Sequence, residues 1–505
     1  MLRKTRIFLA AIFFAGITLV FLDFTGTVQQ YLGWMTKIQF LPALLAVHAV
    51  AFVAFALLTL VFGRIYCSVI CPLGVMQDII SRLSASRKRK HSRFRYSREK
   101  KWLRYGFLAL FIVLLIAGGG ALVALLDPYS AYGRIATNIL APAYAGINNL
   151  LAIASEKADS YMFYRTDIWL PSLAVLAIAI VTLVIVAVLA WRNGRTYCNT
   201  VCPVGTILGF FSRFALLRPV VDHSKCIKCG LCSHKCKASC IDPKKSEIDY
   251  SRCVACMDCI GSCSSGAIKY RLAYGRKAAA GENSGSGSQA KAAPDNGRRL
   301  FLTTSATLLT AKALHAQTSK GDGGLADIEP KKTPEREQRI LPPGAASAQH
   351  FERHCTACQL CVAQCPNDVL RPSTDTDHFM QPEMFFEKGS CRPDCVRCSE
   401  VCPAEAIKPI TLAEKTSIQI GVAVWNKDLC VVNTKGVPCG LCARRCPAGA
   451  ITMIPVKDNE GNDTGRAFPM VNAERCIGCG ACEYHCPARP YPAICVNGIE
   501  EHRHI

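Results

Sequence analysis

Cysteine is the residue type with the most chemical potential in this chain, because 30 of its 505 residues are cysteine and most follow regular spacings. In the middle of the chain, two complete C-x2-C-x2-C-x3-C motifs run from Cys226 to Cys236 and from Cys253 to Cys263. Thiolates at these spacings wrap an iron–sulfur cube, and the fourth cysteine of each motif reaches the other cluster. A single C-x2-C pair is also compatible with zinc, but two complete tandem motifs favour [4Fe-4S] clusters.

Crossed ligation predicts two ligand sets for these tandem motifs. The sets are Cys226, Cys229, Cys232 with Cys263, and Cys253, Cys256, Cys259 with Cys236. Cys240 stands where bacterial ferredoxins commonly have alanine, and we interpret it as a spare thiol.

Four more motifs of this kind, each followed by proline, lie in the last third of the chain. The first gap is one residue longer in the second motif, and in the third motif eight residues separate Cys430 from Cys439. The crossed rule gives four sets: Cys355, Cys358, Cys361 with Cys402; Cys391, Cys395, Cys398 with Cys365; Cys430, Cys439, Cys442 with Cys486; and Cys476, Cys479, Cys482 with Cys446. Cys495 is left over, and too few cysteines remain outside the motifs to form a disulfide framework. The sequence therefore predicts six clusters.

A different cysteine pattern is duplicated nearer the N-terminus. The segments GRIYCSVICPLG (Gly63–Gly74) and GRTYCNTVCPVG (Gly194–Gly205) both read G-R-x-Y-C-x3-C-P-x-G. The cysteines form two i, i+4 pairs, and on a helical turn both thiols of a pair face one way. These residues are Cys67, Cys71, Cys198 and Cys202. They could bind one metal centre, act as two dithiols, or be small residues in tight turns; because the duplication keeps Cys, Pro, Arg and Tyr together, we favour a metal or redox role.

Each copy of this repeat follows one of four apolar runs. The runs are residues 7–22, 38–62, 103–126 and 168–191, and the mean hydropathy of the chain is +0.21. About 20 apolar residues cross the hydrocarbon of a bilayer, so four spans are predicted. No cleavage site follows the first run, which we interpret as a retained helix and not as a signal peptide.

The distribution of charge predicts the orientation of these spans. The net charge of +22 could indicate a nucleic-acid partner, but residues 1–316 hold 38 of the Lys and Arg against 14 Asp and Glu, and residues 317–505 hold 21 against 23. Because the excess lies beside apolar runs, we interpret it as a positive-inside signal and predict no nucleic-acid partner. The N-terminus and the middle motifs are then cytoplasmic.

His48 is the only histidine inside a predicted span. It could hydrogen-bond a quinone, since polar groups within membranes are functional candidates by default, or be paired inside the bundle. Haem would need a second axial ligand, and no other span contains a histidine.

A junction separates the two groups of cluster motifs. Residues 275–297 form a Gly-, Ala- and Ser-rich linker, and Arg298 and Arg299 then open an R-R-x-F-L sequence typical of a twin-arginine export signal. Residues 298–316 would be this signal or a fifth anchor helix, so the last motifs are expected in the periplasm. The predicted domains are 1–210, 211–274 and 317–505.

These motifs carry two resemblances. Residues 63–270 resemble the NapH family and the related membrane halves of NosR, MauN and CcoG proteins, through both repeats, the segment DPYSAYGR (Asp127–Arg134) and the tandem motifs. From Arg298 onward the chain resembles the NapG/MauM family, through R-R-x-F-L, LPPGAASAQHFERHCTACQLCVAQCP (Leu341–Pro366) and the four-motif array. This sequence departs from both families because the two parts occur in one chain, with the NapH-like part before the NapG-like part.

The predicted fold is therefore a membrane α-helical bundle of four spans, five if residues 298–316 stay anchored, with α+β ferredoxin-like 4Fe-4S domains. The resemblance implies a quinol dehydrogenase module in the bacterial inner membrane. It would pass electrons from the quinone pool through the clusters to a periplasmic c-type cytochrome or terminal reductase. Alternatives are an assembly factor that reduces or loads a metal for a partner oxidoreductase, as the CcoG resemblance suggests, and a cytoplasmic polyferredoxin relay. The bilayer is about 30 Å thick, and how electrons would cross it stays open unless the repeat cysteines hold a bridging centre.

Overall fold

The computed structural model describes residues 2–23, 26–46, 49–87, 94–157, 159, 162–166, 172–273, 329–457 and 463–505. His48, the linker 275–297 and the predicted export signal 298–316 lie outside these residues.

The described residues up to 212 form helices. In chain order these are α1 (Leu2–Leu22), α2 (Thr27–Leu32), α3 (Trp34–Lys37), α4 (Phe40–Leu45), α5 (Ala49–Phe62), α6 (Ile65–Val69), α7 (Pro72–Arg87), α8 (Lys101–Ile116), α9 (Gly120–Leu126), α10 (Pro128–Ile135), a π-helical turn Ala136–Leu140, α11 (Ala141–Glu156), α12 (Leu173–Asn193), α13 (Thr196–Thr200) and α14 (Pro203–Ser212).

Only α1 and α12 among the described helices are long and apolar enough to cross a membrane. The predicted second and third spans are not continuous helices in the structure. Residues 38–62 divide into α4 and α5, and residues 103–126 divide into α8 and α9. Gly118 takes a φ of +78° at the second division, a conformation that only glycine adopts without strain. The four-span bundle is thus not confirmed.

The middle unit (residues 211–273) is built from short paired strands around its cysteine loops. Its elements are β1 (Leu217–Val221), α15 (Leu231–Lys235), β2 (Ile241–Asp242), β3 (Glu247–Ile248), a 3-10 turn Ile260–Ser262 and β4 (Ile268–Leu272). β1 pairs antiparallel with β4, and β2 pairs antiparallel with β3. The pairing of the first and last strands closes the unit around its loops, as expected for a ferredoxin-like α+β domain.

The C-terminal unit (residues 329–505) has the same character. Its elements are α16 (Ala348–His354), α17 (Leu360–Ala363), β5 (Leu370–Pro372), β6 (Pro382–Met384), α18 (Arg397–Val401), α19 (Leu412–Ser417), β7 (Ile418–Trp425), α20 (Val431–Thr434), α21 (Leu441–Arg444), β8 (Ile451–Lys457), β9 (Asp463–Val471), α22 (Ala481–His485) and β10 (Ile494–His504). The strands form antiparallel pairs β5–β6, β8–β9 and β7–β10.

The two units contact opposite ends of α1. At its N-terminal end, Arg3 forms an ion pair with Asp258 of the middle unit at 2.8 Å. At its C-terminal end, the Gln364 side chain of the C-terminal unit donates to the carbonyl oxygens of Val20 and Asp23, at 2.6 and 2.8 Å. A helix of 21 residues is about 30 Å long, so α1 separates these contacts by roughly a bilayer's hydrocarbon thickness.

The helix α12 repeats this arrangement. Near its start, Val175 packs with Ala357 and Met380 of the C-terminal unit. At its end, Gly194 adjoins Lys237 of the middle unit, and the next backbone N–H, that of Arg195, donates to the Lys237 carbonyl at 2.8 Å. The helices therefore hold the two cysteine-rich units apart at opposite ends.

Candidate metal centres

Four cavities in the structure are each lined by the cysteines of one predicted crossed set. Apart from cysteine, their walls are mainly Ile, Val, Ala and Pro. The cysteines that line them are Cys226, Cys229, Cys232 and Cys263; Cys236, Cys253, Cys256 and Cys259, with Cys240; Cys365, Cys391, Cys395 and Cys398; and Cys430, Cys439, Cys442 and Cys486. Each cavity is a mostly apolar cradle with converging thiols, which fits a cubane.

The other two predicted sets are also brought together. Cys361 lies within electrostatic reach of Cys355, Cys358 and Cys402, and Cys482 lies within reach of Cys476, Cys479 and Cys446. Four of the six crossed sets thus line one cavity each, including the set of Cys430, and the other two lie within electrostatic reach of their own members.

Local backbone donors favour thiolates in these sets. The N–H groups of Ala450 and Ala493 donate to the sulfurs of Cys446 and Cys486, at 3.3 and 3.2 Å. Burial nevertheless raises the pKa of thiols such as Cys398 well above its usual value. A bound cation is what offsets such burial, so these sites are suited to metal and poorly suited to free thiolates.

Cys240 is a fifth cysteine in one cavity. Its side chain is 1% exposed, and its sulfur lies 3.5 Å from the sulfur of Cys236. The hydrogen bond between them lowers the pKa of Cys236 and raises that of Cys240. The two sulfurs are therefore direct neighbours in one cavity, and Cys236 stays the predicted ligand of the pair.

The duplicated repeat forms one site from two equivalent turns. Gly63 and Gly194 end α5 and α12 with φ of +70° and +69°, and each is followed by a buried arginine and a short helix, α6 or α13. A proline then starts α7 or α14, at the helix position where its missing N–H costs nothing. The four repeat cysteines, called the tetracysteine set below, are each 3–5% exposed and interact electrostatically with one another.

Two arginines link the repeats reciprocally. Arg64 donates to the carbonyl oxygen of Cys198 at 3.1 Å and lies 3.8 Å from the sulfur of Cys67. Arg195 donates to the carbonyl oxygen of Cys67 at 2.6 Å and lies 3.9 Å from the sulfur of Cys198. Each arginine thus touches its own repeat's thiol and the other repeat's backbone, which gives the site an approximate twofold symmetry.

Asp78 connects the tetracysteine set to the middle unit. Its carboxylate accepts from Arg195 at 2.7 Å, from Lys237 at 2.9 Å and from Arg6 at 3.1 Å, and all four side chains are buried. Lys237 immediately follows the predicted ligand Cys236, and the Asn199 side chain donates to the Ala238 carbonyl at 3.2 Å. The repeat is therefore packed directly against the second set of the middle unit.

On its other side, the tetracysteine set approaches the C-terminal unit through α10. The Tyr197 hydroxyl, next to Cys198, donates to the Leu126 carbonyl at 3.4 Å. Three residues on, buried Tyr129 lies within electrostatic reach of Cys358 and Cys402. Arg134, fully buried, interacts with both Tyr197 and Cys358. The segment Asp127–Arg134, which the sequence analysis compared with the NapH family, thus lies between the tetracysteine set and the cysteines around Cys358.

Sequence reasoning noted the arginine in each repeat but did not predict that each one hydrogen-bonds to the backbone of the other repeat. It also missed the role of Asp78 as the centre of a group of ion pairs. The only sequence signal for these contacts between the repeats was that both copies contain an arginine at the same position. Among the described residues, no three His, Cys, Asp or Glu side chains are close enough to hold a single metal ion, and this includes the ferredoxin-type sets. His48 lies outside the described residues, so its quinone role stays a prediction.

Comparisons with known proteins agree with the iron–sulfur chemistry. A family model described as a 4Fe-4S binding domain matches residues 45–91 and 173–220, and one described as a 4Fe-4S dicluster domain matches residues 437–489. The first covers the two repeats, and the second covers seven of the eight cysteines of the last two motifs, leaving out Cys430.

Similar proteins are ferredoxin-type proteins. The chain is 34% identical to the methylamine utilization ferredoxin-type protein MauM of Methylophilus methylotrophus over 160 residues, 30% of this chain and 69% of that protein. It is 34% identical to MauM of Methylobacillus flagellatus over 152 residues, 29% of this chain and 63% of that protein, and so spans less than two thirds of that relative. It is 29% identical to the ferredoxin-type protein NapG of Escherichia coli over 211 residues, 39% of this chain and 83% of that protein. No solved structure matches the chain.

Proposed function

Because this chain belongs to the family of ferredoxin-type 4Fe-4S proteins that includes MauM and NapG, we propose that it is an electron-transfer protein of the quinol dehydrogenase type. It carries multiple [4Fe-4S] clusters and passes single electrons between them. Quinol supplies the electrons, and a periplasmic c-type cytochrome or terminal reductase receives them.

The observation that carries this proposal is the arrangement of the two cysteine-rich units at opposite ends of α1 and α12. The middle unit contacts Arg3 of α1, and the C-terminal unit contacts Val20 of the same helix. An electron carrier with redox centres at both ends of apolar helices is suited to moving charge across a bilayer. A soluble ferredoxin has no need of that separation.

The ligand sets follow the crossed rule and support six clusters, with the cysteines named above as ligands. A cluster whose irons are all held by cysteine has no open position for substrate. The clusters therefore accept and donate electrons only. Oxidation of one quinol would release two protons to water and two electrons, which the clusters held by these cysteines would pass one at a time to an oxidised partner at the far end.

Membrane orientation is part of the proposal. The basic residues near the N-terminus and in residues 82–104 favour a cytoplasmic middle unit, and the R-R-x-F-L sequence at Arg298 favours export of the C-terminal unit. Contact of the two units with opposite helix ends is compatible with this orientation. Fusions of alkaline phosphatase and of a fluorescent protein after Ile505 test it: phosphatase activity is expected, and fluorescence without phosphatase activity would contradict it.

Quinol reduction tests the function itself. The full chain, purified without oxygen and returned to lipid vesicles, is mixed with reduced menaquinone or ubiquinone analogues. We expect the visible absorbance of oxidised clusters to bleach and EPR signals of reduced clusters to appear. If dithionite reduces the clusters and neither quinol does, the quinol dehydrogenase role is wrong.

The assembly-factor alternative rests on the CcoG resemblance, and exposed spare thiols would fit it. Cys240 is 1% exposed, and its sulfur lies 3.5 Å from that of Cys236 in a cysteine-lined cavity. Cys495 is partly buried in β10.

A further inference from the structure

We infer that Cys67, Cys71, Cys198 and Cys202 together ligate one additional [4Fe-4S] cluster, shared between the two repeats, which carries electrons between the middle and C-terminal units. This inference rests on the proposed electron-transfer function and supplies the centre that lies between its two ends.

The first argument is the number of ligands. Each of the two segments that match the 4Fe-4S binding domain contains only two cysteines, Cys67 and Cys71 in one and Cys198 and Cys202 in the other. A cubane of this kind takes four thiolates. Neither copy can complete the set alone, whereas the reciprocal contacts of Arg64 and Arg195 hold the two half-sets against each other.

The second argument is charge. Arg64 is fully buried, and among the described residues no Asp or Glu forms an ion pair with it. Arg195 shares Asp78 with Arg6 and Lys237, and Lys237 also pairs with Asp258, which pairs with Arg3, so four cations share two carboxylates. A buried uncompensated cation is strongly destabilising. A cubane with four thiolate ligands carries a net negative charge, and it would neutralise this excess where neutral thiols would not.

The third argument concerns the alternatives. A zinc ion draws its thiolates to about 2.3 Å from one centre, and no described group of three potential ligands is that compact. The tetracysteine set and the six ferredoxin-type sets are alike in this respect. The Cys202 sulfur accepts from the Gly205 N–H at 3.3 Å, and Cys71 accepts from the Gly74 N–H, which are the backbone contacts of ligand thiolates.

The fourth argument is packing around the site. A Cβ on Gly205 would lie 2.2 Å from the Cys198 carbonyl oxygen and 2.8 Å from the Arg64 guanidinium. A Cβ on Gly74 would lie 2.4 Å from the Cys67 carbonyl oxygen and 2.6 Å from the Arg195 guanidinium. Both repeats therefore keep glycine where the other repeat's arginine passes, which fixes the half-sets in one arrangement.

The location gives the cluster its role. On one side, Asn199 and Arg195 bond to the backbone of Ala238 and Lys237, next to the ligand Cys236. On the other side, Tyr197 reaches Leu126, and α10 continues to the ligand Cys358. A reduced cluster of the middle unit gives one electron to the bridging cluster. The bridging cluster is then reoxidised when it passes that electron to a cluster of the C-terminal unit. No proton or bond changes are required.

Iron counting tests this inference directly. Since each cluster contributes four irons, the purified full chain is expected to hold about 28 iron atoms and as many acid-labile sulfides, against about 24 for six clusters. The double variant Cys67→Ala/Cys198→Ala should lose about four of each. Its control, Cys495→Ala, removes a cysteine outside the predicted ligand sets and should lose none.

A wild-type count near 24, or tightly bound zinc in place of the additional iron, would overturn the inference even if the variant failed to fold. Electron flow gives a second measurement: in the folded double variant, quinol should reduce the clusters of one unit only. Failure of quinol to reduce any cluster in the wild type would instead contradict the proposed function and leave the iron count to decide on the additional cluster.

Discussion

Gly133 of α10 lies directly against the backbone carbonyl of Cys358 in the C-terminal unit. A Cβ atom on Gly133 would lie 2.4 Å from the carbonyl oxygen of Cys358, so α10 and a predicted cluster-ligand loop touch backbone to backbone. Nearby, the Asn138 side chain donates to that of Gln359 at 2.7 Å. The two parts of the chain are therefore fitted to one another at this point.

We expect Gly133→Ala to disturb this contact, because the added methyl group meets a backbone carbonyl that has no freedom to rotate away. Overpacking of this kind costs about 1–3 kcal/mol. The variant should keep its full iron content but show slower reduction of the C-terminal clusters by quinol in stopped-flow measurements. Gly106→Ala is the matched control, since nothing lies within 4 Å of its added Cβ; equal rates in both variants would contradict the prediction.

Asp78→Asn should strongly destabilise the helical part of the chain. The substitution removes the carboxylate that Arg6, Arg195 and Lys237 share, and among these three buried cations Lys237 keeps a second carboxylate partner, Asp258, at 2.9 Å. Breaking a buried ion pair on one side typically costs about 3–5 kcal/mol. Thermal unfolding in detergent would measure the loss.

The control for this experiment is Asp394→Asn. That carboxylate pairs with Arg392 on an exposed surface, where water and salt screen the interaction, so no measurable change is expected. An Asp78→Asn protein as stable as the control would show that the three-cation cluster contributes little.

Cys240→Ala should lower the reduction potential of the neighbouring cluster without removing iron. The Cys240 thiol hydrogen-bonds to Cys236 at 3.5 Å between sulfurs, and donation to a ligand thiolate stabilises the more negative, reduced cluster. EPR-monitored redox titration would measure the shift, with Cys495→Ala as control. Loss of four irons in Cys240→Ala would instead identify Cys240 as the ligand.

His502 should make the C-terminal unit less stable in mild acid. Burial lowers its pKa to about 4, and neither ring nitrogen has a hydrogen-bond partner. The unfolded chain, with a histidine pKa of about 6.5, binds the proton first as the pH falls, so stability is complete above that value and declines toward pH 4. The loss at pH 5.5 is about 1.4 kcal/mol.

Urea unfolding of the wild type and of His502→Leu at pH 7.5 and 5.5 would measure this difference. The variant has no group to protonate at this position, so it should lose less stability between the two pH values. Parallel losses in both proteins would show that the acid sensitivity lies elsewhere, for example in the clusters.

Sequence reasoning predicted the cysteine chemistry in detail, because ligand spacing is a local property of the chain. The crossed sets could be written from the motifs alone and stay predictions, and four of them line one cavity each in the structure, including the set of Cys430 across its gap of eight residues. The apolar runs were less reliable. Hydropathy reports composition and does not report continuity, so the division of residues 38–62 and 103–126 into pairs of helices was not predicted.

The tetracysteine set depends on tertiary structure. Its sequence showed two half-sets 127 residues apart, from Cys71 to Cys198, and left open one centre, two dithiols or packing. Only the fold brings Arg64 to Cys198 and Arg195 to Cys67, and only packing decides that Asp78 joins three cations from distant segments. Local spacing can specify which thiols fit a cluster, but the meeting of distant segments is determined by burial, charge and close backbone approach, which have no fixed spacing along the chain.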